Sequence, residues 1–381
     1  MVSDSTRVRI VISINTSWNI YNFRRGLILS LLARGYDVVA LAPPDEYAAK
    51  LIEMGCAFVP ISVDNKGVNP QKDLLLTRDY YKLLRKLRPD IFLSYTIKPN
   101  IYGSTAAHLL GVPVINNVSG LGTAFLGNGM LRKIVEVLYR SAFRRSQRIF
   151  FQNKEDLSLF LERGLVRKEQ VDCLPGSGID LSYFEPQLPP EYDDGQTKFL
   201  LIGRLLYDKG IGEYVKAARL LKAEGLNAQF SILGFLDVVN RTAVARQTMD
   251  AWIAEGAIDY IGSAEDVRPH IAAADCVVLP SYREGTPRTL LEAAAMARPL
   301  VATDVPGCRD VIDDRQNGLL CQVKDPVDLA RCMREIINMT REQQREMGLA
   351  SRRKMERQFD EDLVIKPYLS AIDEVLARRL Q

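Results

Sequence analysis

The chain has 381 residues, 47% hydrophobic and 25% charged, with a formal net charge of +3. That length exceeds what one core usually organises, so two domains are expected, and the nearly balanced charge gives no basic field, zinc-finger spacing or RNP-like stretch for nucleic acid. No apolar run approaches the roughly 20 residues of a membrane span and the N-terminus lacks the regions of a signal peptide, so the sequence reads as a cytoplasmic protein.

In chain order, apolar runs at 8–14, 37–42, 57–61, 91–94, 112–116 and 148–151 read as strands separated by helical segments. Six strands with crossovers predict a Rossmann-like sheet. Polar loops follow three of them. Asn15-Thr16-Ser17-Trp18 follows the first, Tyr95-Thr96-Ile97-Lys98 the fourth, and Asn117-Val118-Ser119-Gly120 with Leu121, Gly122 and Thr123 the fifth. Asn15, Thr16, Trp18, Lys98, Ser119 and Gly120 are therefore candidate cleft contacts; Trp18 could stack on a ligand ring or simply pack. Residues 130–148 read as a helix with Leu131, Val135, Leu138 and Ala142 along one side. Its six basic residues, Arg132, Lys133, Arg140, Arg144, Arg145 and Arg148, accompany one acid, Glu136. Such a helix either lies on an anionic membrane or packs on a core with a solvated basic rim.

The stretch from Gly176 to Gly195, rich in Pro, Gly and acid, reads as an exposed linker. The division expected is 1–178, a linker at 179–197, 198–360, and a final helix at 361–381. Strands are expected again at 199–203, 229–233, 258–262, 276–280, 300–303 and 318–321, with helix after 326. The six cysteines form no CxxC pair and read as reduced packing residues.

Two loops of the second half carry the chemistry. Arg204 and Lys209 follow the strand 199–203, where a guanidinium and an ammonium would neutralise a diphosphate, a task often given to a metal ion. Ser281-Tyr282-Arg283-Glu284-Gly285-Thr286-Pro287-Arg288-Thr289-Leu290-Leu291-Glu292 follows the strand 276–280. Thr286 as N-cap and Pro287 as first helical residue would leave the N–H groups of Arg288, Thr289 and Leu290 aimed at one point, where an anion sits well. Glu284 on the loop and Glu292 on the helix could then bracket a bound diphosphate, a carboxylate being suited to a vicinal diol.

Gly203-Arg204 with Lys209-Gly210, the Glu284 to Glu292 spacing, Pro306-Gly307 and Asn317-Gly318 together resemble the retaining GT-B glycosyltransferases of family 4. Asn100-Ile101-Tyr102-Gly103 and Ser119-Gly120-Leu121-Gly122 resemble the branch that builds bacterial polysaccharides and lipid-linked glycans, such as undecaprenyl-diphosphate N-acetylgalactosaminyltransferases. The resemblance implies an α/β chain of two Rossmann-like domains facing across a cleft, with the acceptor on the first, the nucleotide sugar on the second and the last helix crossing back to the first. It implies that Arg204 and Lys209 bind the diphosphate, that the amides from Gly285 and Thr286 to Leu290 assist, that Glu292 holds the ribose and that Glu284 touches the transferred sugar. No cofactor or metal is expected; Asp360-Glu361-Asp362 fits a DxD pattern only as text. The expected partners are a nucleotide-sugar donor, a saccharide acceptor on a lipid diphosphate and the inner membrane surface, to which the enzyme would be peripheral.

The sequence departs from the pattern of the family it resembles in two places. Its first loop has no glycine, and Ser119 stands where many relatives have a histidine. His108 and His270 read as ordinary helix residues. The rival readings are a nucleotide-sugar epimerase or phosphorylase on this fold, and a catalytically silent sugar-binding protein.

Overall fold

A computed structural model describes residues 7–64, 69–120, 129–187, 195–236, 240 and 242–379. The chain divides into two compact units, residues 1–178 with 361–381, and residues 179–360.

Among the described residues, the first unit holds seven parallel strands: β1 (Arg9–Ser13), β2 (Asp37–Ala42), β3 (Ala57–Pro60), β4 (Ile91–Tyr95), β5 (Val114–Val118), β6 (Arg148–Phe151) and β7 (Val171–Cys173). Their order is β3-β2-β1-β4-β5-β6-β7. The central strands are buried on both faces, as parallel strands under crossover helices must be. β7 has three residues and was too short for periodicity to register. β5 begins at Val114, two residues later than the apolar run suggests, because Pro113 has no N–H for the ladder. It then continues through Asn116 and Asn117, whose polarity obscures the strand.

A buried hydrogen-bond network takes up the Asn116 Nδ2 and the Asn117 main-chain carbonyl. The Asn100 carboxamide oxygen accepts from Ser94 Oγ at 2.8 Å and from Asn116 Nδ2 at 3.2 Å, and Asn100 Nδ2 donates to the Asn117 carbonyl at 2.8 Å. Asn100 lies in a single wide turn, Pro99–Gly103, with π-helical bonding. A Cβ on Gly103 would lie 2.9 Å from the Phe92 ring, so the turn packs directly on the sheet. The motif Asn100 to Gly103 is thus a clasp between β4 and β5.

The helices have local reasons to begin where they do. Thr16 caps Ser17–Ala33 and Asn69 caps Pro70–Leu87, while Thr340 and Gln343 form a capping box on Arg341–Gln358. The helix Asp362–Arg379 belongs to the first unit, burying Val364, Tyr368, Ile372 and Val375 with Ile20, Leu27 and Ile28 of helix Ser17–Ala33.

The second unit repeats the plan with β8 (Thr197–Ile202), β9 (Ala228–Leu233), β10 (Asp259–Tyr260), β11 (Cys276–Leu279), β12 (Leu300–Thr303) and β13 (Gly318–Cys321). Their order is β10-β9-β8-β11-β12-β13. In both units the first strand is flanked by the second and the fourth, so the winding direction reverses between β1 and β4 and between β8 and β11. Ligands of open parallel sheets bind at such points, beyond the strands' carboxyl ends. Part of the expected linker is core instead. Ile179 and Phe184 are buried against Leu279, Ala295 and Phe359, since their apolar side chains are drawn out of water whatever the Pro and Gly content around them.

Candidate functional site

In the second unit the loops after β8, β11 and β12 meet at backbone contact distance, and glycine makes that possible. A Cβ on Gly307 would fall 1.5 Å from the Gly285 carbonyl oxygen, and one on Gly210, whose φ is +72°, would fall 2.1 Å from the Pro280 carbonyl oxygen. Further bonds lock the β8 and β11 loops together. Tyr282 N–H donates to the Asp208 carbonyl at 2.9 Å, and the Tyr282 hydroxyl donates to Glu213 at 2.9 Å. Burial first, and then this carboxylate, push the Tyr282 phenol up to about 12. Thr303 Oγ1 donates to the Ser281 carbonyl.

These loops present two acid–base pairs. Lys209, at the end of the short turn Tyr207–Lys209, donates to Glu284, and both side chains are largely covered, at 21% and 12% exposure. Arg288 Nε donates to Glu292 at 3.0 Å, one helical turn on. Burial holds the Glu292 carboxyl above the usual range, and the Arg288 charge opposes that shift. Such pairs add little net stability, because desolvating two ions offsets their attraction. Arg204 stands apart. It is exposed just after β8, and its side chain makes no hydrogen bond or ion pair among the described residues.

The helix after β11 corrects the sequence reading. It spans Arg288–Ala295, and its N-cap is Pro287 rather than Thr286. Pro287 has a ψ of 113°, so it lies outside the helix. Its carbonyl accepts from the N–H of Leu290 at 3.1 Å and of Leu291 at 3.3 Å. The Leu290 amide is therefore occupied, and its side chain is core. Thr289 Oγ1 reaches the Ile202 carbonyl at 3.4 Å, tying this helix to the end of β8. Glu213 was missed by the sequence reading, which quoted Ser281 and Tyr282 in the loop motif without giving them a role; Ser281 is fully buried with an unpartnered hydroxyl. Nothing in the local pattern around Glu213 distinguishes it. The Asn317-Gly318 motif is structural: Asn317 bonds Asp313 and Val311, and a Cβ on Gly318 would meet the Leu300 carbonyl at 2.5 Å.

In the first unit the expected cleft contacts diverge. Thr16 is engaged as a cap, its hydroxyl accepting from Asn19 N–H at 3.1 Å. Trp18 is 41% exposed with its edge on Phe23. Asn15 lies in the turn between β1 and its helix. Lys98 is tied down, 2.8 Å from Asp73, which also accepts from the Tyr102 hydroxyl at 2.9 Å. A lysine desolvated in that way finds its counter-charge inside the protein. Ser119 Oγ donates to Asn117 at 3.1 Å, and Gly120 has a φ of +145°. Leu121, Gly122 and Thr123 lie outside the described residues. His108 bonds the Ala142 carbonyl at 2.9 Å, and burial lowers its pKa. His270 lies on the short helix Arg268–Ala273.

The basic helix is shorter than expected, Met130–Phe143, with Arg144 and Arg145 in the turn after it and Arg148 opening β6. Arg140 donates to the carbonyls of Arg163 and Gly164, Arg148 pairs with Glu374, and Arg132 faces Glu136. Lys133, Arg144 and Arg145 remain exposed and unpaired among the described residues, beside Ile134 and Val137 at 47% and 60% exposure. Among the described residues, no helix is long and apolar enough to cross a membrane, and no three His, Cys, Asp or Glu side chains are grouped to hold a metal ion.

Residues 196–339 match the model of the glycosyl transferases group 1, and residues 9–153 match that of glycosyl transferase 4-like domains. The chain is a glycosyltransferase that joins a 4-like domain to a group 1 domain. This glycosyltransferase is 27% identical over 376 residues, 94% of its own length and 96% of the relative's, to N,N'-diacetylbacillosaminyl-diphospho-undecaprenol alpha-1,3-N-acetylgalactosaminyltransferase of Campylobacter jejuni. It is 27% identical over 287 residues, 70% of this chain and 71% of the relative, to UDP-Gal:alpha-D-GlcNAc-diphosphoundecaprenol alpha-1,3-galactosyltransferase of Escherichia coli. Its fold is that of a Rickettsia africae glycosyltransferase, with a TM-score of 0.79 at 16% identity over 97% of this chain and 99% of that one. It is also that of Anabaena HepE in complex with UDP-glucose, with a TM-score of 0.78 at 14% identity over 97% of this chain and 100% of that one. The fold of this glycosyltransferase is GT-B, two Rossmann-like α/β domains.

Because the Gly285 to Gly307 contact is backbone on backbone, neither side can rotate away. Gly307→Ala is expected to lower stability by about 1–3 kcal/mol, as overpacking does. The measurement is the urea midpoint at unchanged m-value, and an unshifted midpoint contradicts the contact.

Proposed function

We propose that this glycosyltransferase moves a sugar, a hexose or N-acetylhexosamine, from a nucleotide diphosphate to a saccharide carried on a lipid diphosphate. The transfer proceeds with retention, in bacterial surface polysaccharide or lipid-linked glycan assembly. The observation that carries this reading is the pair of ion pairs, Lys209–Glu284 and Arg288–Glu292, with the exposed Arg204 just after β8, at the reversal between β8 and β11. The names of the similar proteins supply the substrate class.

The chemistry follows from the two ion pairs. An entering diphosphate competes with Glu284 for Lys209 and with Glu292 for Arg288, while the unpaired Arg204 meets it without first giving up a partner. Each freed carboxylate then accepts from hydroxyls, Glu284 from the transferred sugar and Glu292 from the ribose. Charge builds on the departing diphosphate as the glycosidic C–O bond breaks, and the cations Arg204, Lys209 and Arg288 stabilise it there without a bound metal. The acceptor hydroxyl attacks the face the diphosphate leaves, and its proton passes to a phosphate oxygen. Glu284 starts as the partner of Lys209, an arrangement suited to binding rather than to a covalent glycosyl intermediate.

The acceptor supplies the reason for working at the cytoplasmic face of the inner membrane. Lys133, Arg144 and Arg145 with Ile134 and Val137 make a basic and apolar patch that suits an anionic surface.

Lys209→Ala is expected to cut turnover by about 10²–10³-fold, the effect of losing a transition-state donor in a water-poor site, while the chain still unfolds cooperatively in urea, at a lower midpoint because Glu284 is left unpaired. Wild-type turnover in that variant sinks the assignment. Activity is expected to survive EDTA; loss in chelator with rescue by magnesium or manganese would refute the metal-independent scheme.

For the membrane patch, wild-type protein should co-sediment with phosphatidylglycerol vesicles at low salt and release at high salt. Reversing Lys133, Arg144 and Arg145 to glutamate should weaken that binding more than 10²-fold, at about 1 kcal/mol per charge removed. Donor binding in the other unit should be unchanged. Wild-type protein that ignores the vesicles at low salt favours a soluble acceptor.

A further inference from the structure

One face of the first sheet ends in a group of hydrogen-bond donors without acceptors. Register sets Tyr95 beside Asn117 and Asn117 beside Phe150, and residues paired in this way point to one face. The helix Asp362–Arg379 lies over them, with the Tyr368 ring 4.6 Å from Phe150 and 6.1 Å from Tyr95. From helix Ser17–Ala33, the Arg24 guanidinium sits 4.4 Å from the centre of the Tyr95 ring. Arg24 is 4% exposed, and Tyr95, Asn117 and Tyr368 are each 1% exposed.

Arg24 Nε, the Tyr95 hydroxyl, Asn117 Nδ2 and the Tyr368 hydroxyl have no hydrogen-bond partner. The Tyr368 hydroxyl interacts with the Tyr95 and Asn117 side chains and feels the Arg24 charge, but none of these contacts has full hydrogen-bond geometry. Asn117 Oδ1 is already used, accepting from Ser119 Oγ at 3.1 Å and Gln152 Nε2 at 3.2 Å, so what the amide has left is its donor. Arg24 makes one bond, to the adjacent Phe23 carbonyl at 3.0 Å, and no ion pair among the described residues. A buried donor without an acceptor forfeits the bond it made to water, and a buried cation without a counter-charge forfeits more. All four groups can donate and the set carries one positive charge, so its complement is a small oxyanion. The cluster lies at the carboxyl ends of β4 and β5, beside the reversal between β1 and β4.

We propose that Arg24, Tyr95, Asn117 and Tyr368 form an oxyanion site in the first unit that takes a phosphate group. Resting on the function proposed above, that phosphate belongs to the diphosphate of the lipid-linked acceptor. The four atoms are covered, so the entering phosphate draws Arg24 off the Tyr95 face and exchanges a cation–π contact for a charge-assisted bond.

Tyr368→Phe separates this role from a packing role. It keeps the ring and removes a buried hydroxyl that has no partner, so the melting temperature without anion should hold or rise. The probe is inorganic pyrophosphate, titrated calorimetrically into the full chain carrying Arg204→Ala and Lys209→Ala to silence the donor site. Binding should persist in that background, weaken about tenfold on adding Tyr368→Phe, and vanish with Arg24→Gln. No heat in that background, or an affinity indifferent to Tyr368→Phe, overturns the site; the Tyr368 variant decides even if the Arg24 variant fails to fold. In the otherwise wild-type chain, Tyr368→Phe should raise the KM for a lipid-diphosphate acceptor about tenfold and leave the donor KM alone. Weakened pyrophosphate binding with an unmoved acceptor KM makes the site one for free phosphate and overturns the acceptor assignment. A chain that glycosylates no lipid diphosphate defeats the functional reading, and the pyrophosphate titration still decides the site.

Discussion

The carboxyl ends of parallel strands all lie at one edge of a sheet, and everything chemical in this protein depends on how closely the loops at that edge can approach one another. In the second unit they touch backbone to backbone, at Gly307 on Gly285 and Gly210 on Pro280. Side chains too short to reach across an ordinary loop spacing then meet: Lys209 finds Glu284, and Tyr282 finds Glu213. The glycines are a condition of the site rather than a part of it. A methyl group at either position would push the charged groups apart.

Charge is held at this edge in compensated form. Glu284 and Glu292 are each covered and each matched to a cation, which keeps a partly desolvated site from carrying unpaired charge while it waits for an anionic ligand. Arg204 is the exception and can remain unpaired because water reaches it. The two units share a strand order but treat polarity differently. The first buries an asparagine and serine network between β4 and β5, satisfied largely within itself, and on the opposite face leaves Arg24 and three neighbours with donors to spare. Strand alternation alone separates those faces, since Ser94 and Asn116 point one way and Tyr95 and Asn117 the other.

Much of this was legible in the sequence. Apolar runs place most strands within two residues, because a strand buried on both faces has to be continuously hydrophobic. The Glu284 to Glu292 spacing, and the Arg204 and Lys209 loop, followed from strands running into helices, which is local information. Lys98 was read as open to a ligand because its loop follows a strand, but its counter-ion Asp73 lies 25 residues earlier on another helix. Arg140 was read as a surface charge, yet it closes on the carbonyls of Arg163 and Gly164.

What the sequence determined by itself was the α/β alternation, the two-unit scale and the residue types at the strand ends, because periodicity and strand-to-helix order are properties of short segments. Only the tertiary structure decided which charges are paired, which amide is spent within the helix start at Pro287, and which buried donors lack an acceptor. Each of those depends on side chains brought together across tens or hundreds of residues. Tyr368 shows the limit most plainly: from a helix near the end of the chain it stands over Tyr95 and Phe150, more than two hundred residues earlier. No local pattern encodes that meeting, since it is fixed by burial of the helix's apolar face and by the register of strands it covers.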